Sequence, residues 1–137
     1  EQRSFEDVIK KDLIELKKFK NSNTKSDDYF KTIVENSFLA RGLYVEQLKI
    51  WFKIFDKKQI HITTTENLAM NPDKTFSEIF NFLEIPDYKI PKLENKRKGN
   101  YLPMSKEMKI QLSNYFKPYN EELYELIEQK FNWNDEL

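Results

Sequence analysis

The chain has no cysteine and only two glycines, Gly42 and Gly99, in 137 residues. Without thiols it can build neither a disulfide framework nor a thiolate metal site. Two glycines are too few for either glycine-rich phosphate loop, G-x-G-x-x-G or G-x-x-x-x-G-K-[ST], so neither cradle lies within the chain. Net charge is missing too: 23 Lys and Arg balance 23 Asp and Glu. A domain devoted to nucleic acid or to an anionic membrane surface carries a basic excess, so only a local basic site is left open. No apolar run approaches the roughly 20 residues of a membrane-spanning helix. The single histidine, His61, has no partner at metal-ligand spacing and no triad around it, and reads as structural. The lack of cysteine and of any signal-like segment points to the cytoplasm. The start at Glu1-Gln2-Arg3, without Met, reads as a chain cut from something longer.

What is present is enough for a core. Apolar residues make up 39% of the chain and aromatic residues 15%, which excludes wholesale disorder. Ser4 and Asp7 open an amphipathic helix that runs to about Phe19, with Phe5, Val8, Ile9, Leu13 and Leu16 on one face. Asn21 to Asp28 is a polar loop. Leu43 to Phe55 carries apolar residues around most of its circumference, Trp51 among them, and is expected to be the most buried helix. Gln59 to Thr64 is β-branched and short, and reads as the one strand. A single strand cannot make a sheet, so its partners are expected elsewhere. Asn71-Pro72-Asp73 starts a further helix, with Asn71 as its cap. Ser105 caps another through Phe116, Lys117-Pro118-Tyr119 breaks it, and Asn120 starts a last helix. Trp133 is expected to pack back onto the body.

The chemistry concentrates in the segment Lys96-Arg97-Lys98-Gly99-Asn100-Tyr101-Leu102-Pro103-Met104. Three consecutive cations run into a glycine, and Pro91 and Pro103 keep the flanks from continuing as helix. Such a loop suits an anion: guanidinium and ammonium groups supply charge, and Gly99 lets a backbone N–H approach. A solvated basic loop is the bland reading of the same residues. Glu66, between strand and helix, reads as a cap or backbone anchor rather than an acid catalyst. The Asp27-Asp28 and Glu121-Glu122 pairs read as surface or helix-start acids.

The order of these pieces is distinctive. Arg41-Gly42-Leu43-Tyr44-Val45-Glu46-Gln47-Leu48-Lys49-Ile50-Trp51 leads to the expected strand, then Glu66-Asn67-Leu68, Asn71-Pro72 and Phe82-Leu83. The basic loop follows, then Tyr101-Leu102-Pro103-Met104 and Phe116-Lys117-Pro118-Tyr119-Asn120. This series resembles the C-terminal half of the PAPS-dependent sulfotransferases, closest to the bacterial and heparan-sulfate N-sulfotransferase type, and covers roughly residues 4 to 131. Departures are visible: Asn67 stands where the family favours Asp, Glu84 replaces a Gly, Tyr119 replaces a frequent His, and Gln47 sits where heparan-type members carry a His.

The resemblance implies an α/β fold, in which this chain is the mostly helical C-terminal portion of a P-loop-kinase-like sandwich and contributes one clear strand. Residues 1–137 would form a single partial domain whose phosphosulfate-binding half lies upstream. No catalytic residue is then expected in this chain, and the isolated fragment is expected to be inactive. Lys96, Arg97, Lys98, Gly99, Asn100 and Tyr101 would hold the nucleotide of PAPS or its product PAP. Arg41, Gly42, Tyr44 and Gln47 would line the substrate or cofactor cleft. The acceptor would be a small molecule or carbohydrate bearing a hydroxyl or amine, with no metal, nucleic acid or membrane span involved. The alternative is a helical binding module whose basic loop meets an acidic partner or single-stranded nucleic acid, with Tyr101 stacking on a base.

Overall fold

A computed structural model describes residues 4–20, 37–91 and 103–134. These fall into two compact units, one formed by residues 1–53 with 103–137 and the other by residues 54–102. The basic loop, residues 96–101, lies outside the described residues, as do the expected polar loop and Asp27-Asp28.

In the first unit, α1 (Phe5–Lys20) begins as the sequence predicts. The Ser4 hydroxyl accepts the Asp7 N–H at 3.2 Å and donates to the Asp7 carboxylate at 2.6 Å. Its apolar stripe delivers Ile9 and Leu16 to the core, where they meet Leu39, Ala40 and Met108, with Leu112, Tyr115 and Phe116 packed around them. Phe5, placed on the same stripe, stays about half exposed. The short helix α2 (Phe38–Arg41) packs on α1, and α3 (Tyr44–Phe52) follows directly.

The helix expected over Leu43 to Phe55 is shorter and less enclosed than its composition suggests. Val45 is fully buried and Leu43 nearly so, but Trp51 remains 54% exposed. Among the described residues its main packing partner is α6 (Lys106–Ile127). Lys49 ties the two together, with Nζ 2.5 Å from a Glu122 carboxylate oxygen and 3.3 Å from one of Glu46. Glu122 of the expected surface acids is therefore the partner of an inter-helix cation. The Lys49 pKa is pushed upward, first by the hydrogen bond it donates to Glu122 and then by the charge of Glu46 and the bond donated to it.

Helix α6 also corrects the expected break at Pro118, since its 22 residues run straight through the proline. Pro118 cannot donate to the Asn114 carbonyl, and an interior proline costs about 3 kcal/mol. Met108, Leu112, Tyr115, Phe116, Tyr119, Leu123 and Ile127 nevertheless form one unbroken stripe at helical spacing. Met108 and Leu123, on opposite sides of the proline, are both 3% exposed. Burial at both ends of the stripe outweighs the missing bond and holds the helix in register.

The second unit corrects the fold class. Among its described residues there is no strand, and the same holds for the described chain as a whole. Gln59 instead ends a 3-10 turn, Lys57–Gln59, closed by a reciprocal cap. The Asp56 carboxylate accepts the Lys58 N–H at 3.0 Å, while the Gln59 amide oxygen accepts the Asp56 N–H at 3.1 Å. Ile60 and Thr64 do have extended backbone angles. Extended geometry without a ladder partner is not a strand, because the ladder bonds are what stabilise one. The α/β sandwich with one strand is thus replaced, over the described residues, by helices joined by short turns.

Here α4 (Thr65–Met70) packs on α5 (Pro72–Phe82). Thr64, not Glu66, caps α4, its hydroxyl accepting the Asn67 N–H at 3.1 Å. Helix α5 starts at Pro72 as expected, but the Asn71 side chain makes no capping bond. The buried Thr75 returns a hydroxyl bond to the Asn71 carbonyl at 3.0 Å instead. Helix α5 ends in a left-handed residue, Glu84 at φ 55°, with Ile85 N–H donating back to Phe80 and Glu84 N–H to Asn81. This is the chain reversal for which glycine is the usual choice. His61 lies against the Phe82 ring at 5.2 Å, consistent with a structural place for it.

Candidate functional site

Of the sequence-nominated residues, Arg41, Gly42, Tyr44 and Gln47 lie within the described chain, at the turn between α2 and α3. The turn is built from short backbone bonds: Gly42 N–H to the Leu39 carbonyl at 2.9 Å, Leu43 to Ala40 at 3.0 Å and Tyr44 to Gly42 at 3.0 Å. Gln47 closes it from the side, its amide nitrogen donating to the Arg41 carbonyl at 2.9 Å. Gln47 is therefore a brace for the turn through that donor, with Arg41 and Tyr44 presented at the surface. The Arg41 guanidinium sits 5.5 Å from the centre of the Phe38 ring, a cation–π distance that restrains it.

Gly42 has an ordinary helical φ of −83°, so its role is not conformational. A Cβ at this position would lie 2.9 Å from Phe116 Cε1 and 3.0 Å from Cζ. The glycine lets α6 close on the turn.

Sequence reading passes over the group that anchors this turn. Asp12, on α1, is 4% exposed. A single oxygen of its carboxylate accepts both the Ser37 hydroxyl at 2.9 Å and the Leu39 N–H at 3.1 Å. Ser37 in turn caps α2 by accepting the Ala40 N–H at 3.1 Å. A buried carboxylate with charge-assisted bonds to a helix N-terminus is a strong local fixture. One signal for it exists in the sequence: Asp12 interrupts the apolar stripe between Ile9, Leu13 and Leu16, where a solvated residue is out of place.

On the other side of the turn stands an aromatic cluster. The Tyr44 ring is 6.0 Å from that of Trp133, which lies 4.6 Å from Phe131 and 6.2 Å from Tyr124. Trp133 does pack back onto the body, in a 3-10 turn, Asn132–Asn134, beyond α6. Separately, α1 and α6 flank an open cleft of about 450 Å³ with a largely apolar floor of Leu13, Leu16 and Pro118. Tyr115 lines it, and its phenol pKa is pushed well up, first by burial and then by Tyr119 and the Asp12 charge. It stays a proton donor throughout the physiological range. Among the described residues no group of His, Asp and Glu is arranged to hold a metal.

Comparison with known proteins decides the lineage. Residues 10–128 match the sulfotransferase domain family. The chain belongs to that family. It is 37% identical over 97 residues to the membrane-associated sulfotransferase kil1 of Dictyostelium discoideum, covering 71% of this chain and 21% of that protein. It is 30% identical over 118 residues to carbohydrate sulfotransferase 15 of Nototodarus sloanii, covering 77% of this chain and 74% of the relative. The chain thus spans about a fifth of the length of the Dictyostelium protein. No solved structure matches it. The sulfotransferase match takes in the α2–α3 turn and residues 96–101 alike, and stops short of Trp133. Among the described residues no helix is long and apolar enough to cross a membrane.

Proposed function

We propose that this chain forms part of an enzyme that transfers a sulfuryl group from PAPS to a hydroxyl or amine of a carbohydrate acceptor. The observation that carries the reading is the sulfotransferase-domain match over residues 10–128. The carbohydrate acceptor is drawn from the name of the Nototodarus sloanii relative.

The residues suit such a donor chemically. Arg97 offers a planar fork for two phosphate oxygens, Lys96 and Lys98 add point charge, and Gly99 removes the side chain that would keep a backbone N–H from the anion. On this reading they hold the 3′-phosphate, and Asn100 and Tyr101 pack on the nucleotide. PAPS itself supplies the activated sulfuryl group. The protein's task is to fix donor and acceptor in line and to stabilise charge on the departing phosphate oxygen. Arg41 and Tyr44 face the cleft in this scheme, and the Asp12 clasp, the Gln47 brace and Gly42 keep their turn in place. No side chain of this chain is assigned as the base.

The test is equilibrium binding of adenosine 3′,5′-bisphosphate to the full-length protein. Arg97→Glu replaces an attractive charge by a repulsive one at a phosphate, and affinity is expected to fall at least about a hundredfold. Unchanged affinity would remove residues 96–101 from the donor site. Binding of single-stranded RNA without binding of the bisphosphate would return the chain to the helical binding-module alternative.

A further inference from the structure

The described chain resumes at Pro103, two residues past the proposed donor segment, and there it is fastened twice. Met104 packs onto the core cluster of Ile9, Leu16, Leu39, Ala40 and Met108. Ser105 then caps α6, its hydroxyl accepting the Met108 N–H at 3.3 Å. The same hydroxyl donates to a Glu6 carboxylate oxygen at 3.1 Å, joining residues 99 positions apart. Donation to a carboxylate polarises the hydroxyl and makes it a better acceptor, so the two bonds of Ser105 support each other. Glu6 stands in the first turn of α1. Its carboxylate thus serves the amino ends of two helices, where negative charge is favoured. It also lies outside the family match, which begins at residue 10.

Along the chain Gly99 is five residues from Met104, and Tyr101 is four from Ser105. Pro103 stands between them with its φ fixed, so the placement of Met104 passes back along the chain through one soft dihedral fewer. A segment that grips a phosphate must hold one arrangement of its donors. If it holds that arrangement for part of the time, it binds in proportion to that fraction. Fixing the chain within a few residues of the donors raises the fraction, because fewer backbone conformations remain to be lost on binding. We propose that Met104 and Glu6 are positioning residues for the donor site. They fasten the end of the segment that carries Arg97, Lys98 and Gly99, and so set how readily it takes up a nucleotide phosphate. The proposal rests on the donor reading above. Neither side chain touches the nucleotide in it: Met104 acts through the backbone and Glu6 through Ser105.

The experiment measures association and dissociation rates of adenosine 3′,5′-bisphosphate on the full-length protein, with urea unfolding to establish that each variant is folded under the assay conditions. Glu6→Gln and Glu6→Ala remove the same charge, but only the glutamine keeps an oxygen for Ser105. Met104→Leu keeps the apolar volume on the core and Met104→Ala does not. The association rate is expected to fall about threefold or more in Glu6→Ala relative to Glu6→Gln, and about tenfold in Met104→Ala relative to Met104→Leu. The dissociation rate should stay the same throughout, because only the binding-ready fraction has changed. In a Ser105→Ala background the difference between alanine and glutamine at position 6 should vanish. Lowered urea midpoints with unchanged association rates in both alanine variants would leave the two residues a structural role only and overturn the proposal. A loss carried by the dissociation rate overturns it as well, since that is the mark of a lost contact with the nucleotide. The two readings are told apart by Arg97→Glu. If that variant binds the bisphosphate as the unmodified protein does, the donor reading falls and the proposal with it. If it binds weakly while Glu6→Ala and Met104→Ala bind normally, the proposal falls alone.

Discussion

Replacing Asp12 by alanine tests how the turn carrying Arg41 and Tyr44 is held. The carboxylate is 4% exposed, and among the described residues two hydrogen bonds arrive at one of its oxygens, from Ser37 at 2.9 Å and from the Leu39 N–H at 3.1 Å. Hydrogen bonds to a charged group contribute about 1.5–3 kcal/mol each, and the buried Leu39 N–H would be left without an acceptor. Ser37 retains its cap on Ala40, which lessens the loss on that side. The net cost of Asp12→Ala is expected to be about 3–4 kcal/mol. Asp12→Asn is the informative contrast. Its amide oxygen can take the place of the one accepting oxygen and keep both bonds, losing only the charge assistance, so it should cost about 1 kcal/mol. Urea unfolding of the two variants reads both numbers, as shifts of midpoint at constant slope. Equal losses in alanine and asparagine, or a loss under about 1 kcal/mol in alanine, would refute the argument that this oxygen anchors α2.

Other substitutions probe the remaining fixtures. Gly42→Ala places a methyl 2.9 Å from Phe116 Cε1 and is expected to cost about 1–3 kcal/mol; Phe116→Leu should recover part of that loss in a double-mutant cycle read by urea unfolding. Pro118→Ala restores the bond to the Asn114 carbonyl inside α6 and should raise thermal stability by about 1–3 kcal/mol, as read by calorimetry. The raised pKa of Tyr115 has a definite sign. Burial favours the neutral phenol in the folded state, so its contribution is whole below the ordinary value of 10.0 and is lost as pH climbs above it. In an ultraviolet titration Tyr115 should therefore resist ionisation past pH 10.0 until the chain unfolds, and Tyr115→Phe should abolish that late step.

Much of the helical scaffold is legible in the residues. Ser4, Ser105 and Pro72 mark helix starts where the structure has them, because capping is decided within a turn of the chain. The failures share a different origin. Gln59 to Thr64 has the composition of a strand, yet strandedness depends on a partner, and composition says nothing about whether one is near. The Asp56–Gln59 reciprocal cap was written locally and competes directly for the first of those residues. The local cost of Pro118 predicts a break, but the continuous stripe from Met108 to Ile127 outweighs it and keeps one helix. Hydrophobicity alone puts Trp51 inside, yet it stands half in solvent, because burial depends on which neighbours the fold brings to it. Family spacing nominates Arg41, Gly42, Tyr44 and Gln47; in the structure Gly42 serves packing and Gln47 serves the turn. Asp12 and Ser37 lie 25 residues apart, and no local pattern joins them.

Glu84 gives the second unit an uneven resistance to opening. A residue other than glycine held at φ 55° carries about 1 kcal/mol of strain, released as soon as the last turn of α5 comes apart. That makes the opened form of this turn about fivefold more populated than a glycine would allow. The amides of Glu84 and Ile85, whose bonds to Asn81 and Phe80 depend on that conformation, are expected to exchange with solvent together and ahead of those in the body of the helix. The exit of α5 is thus a built-in fraying point, set by one side chain in a position that favours none.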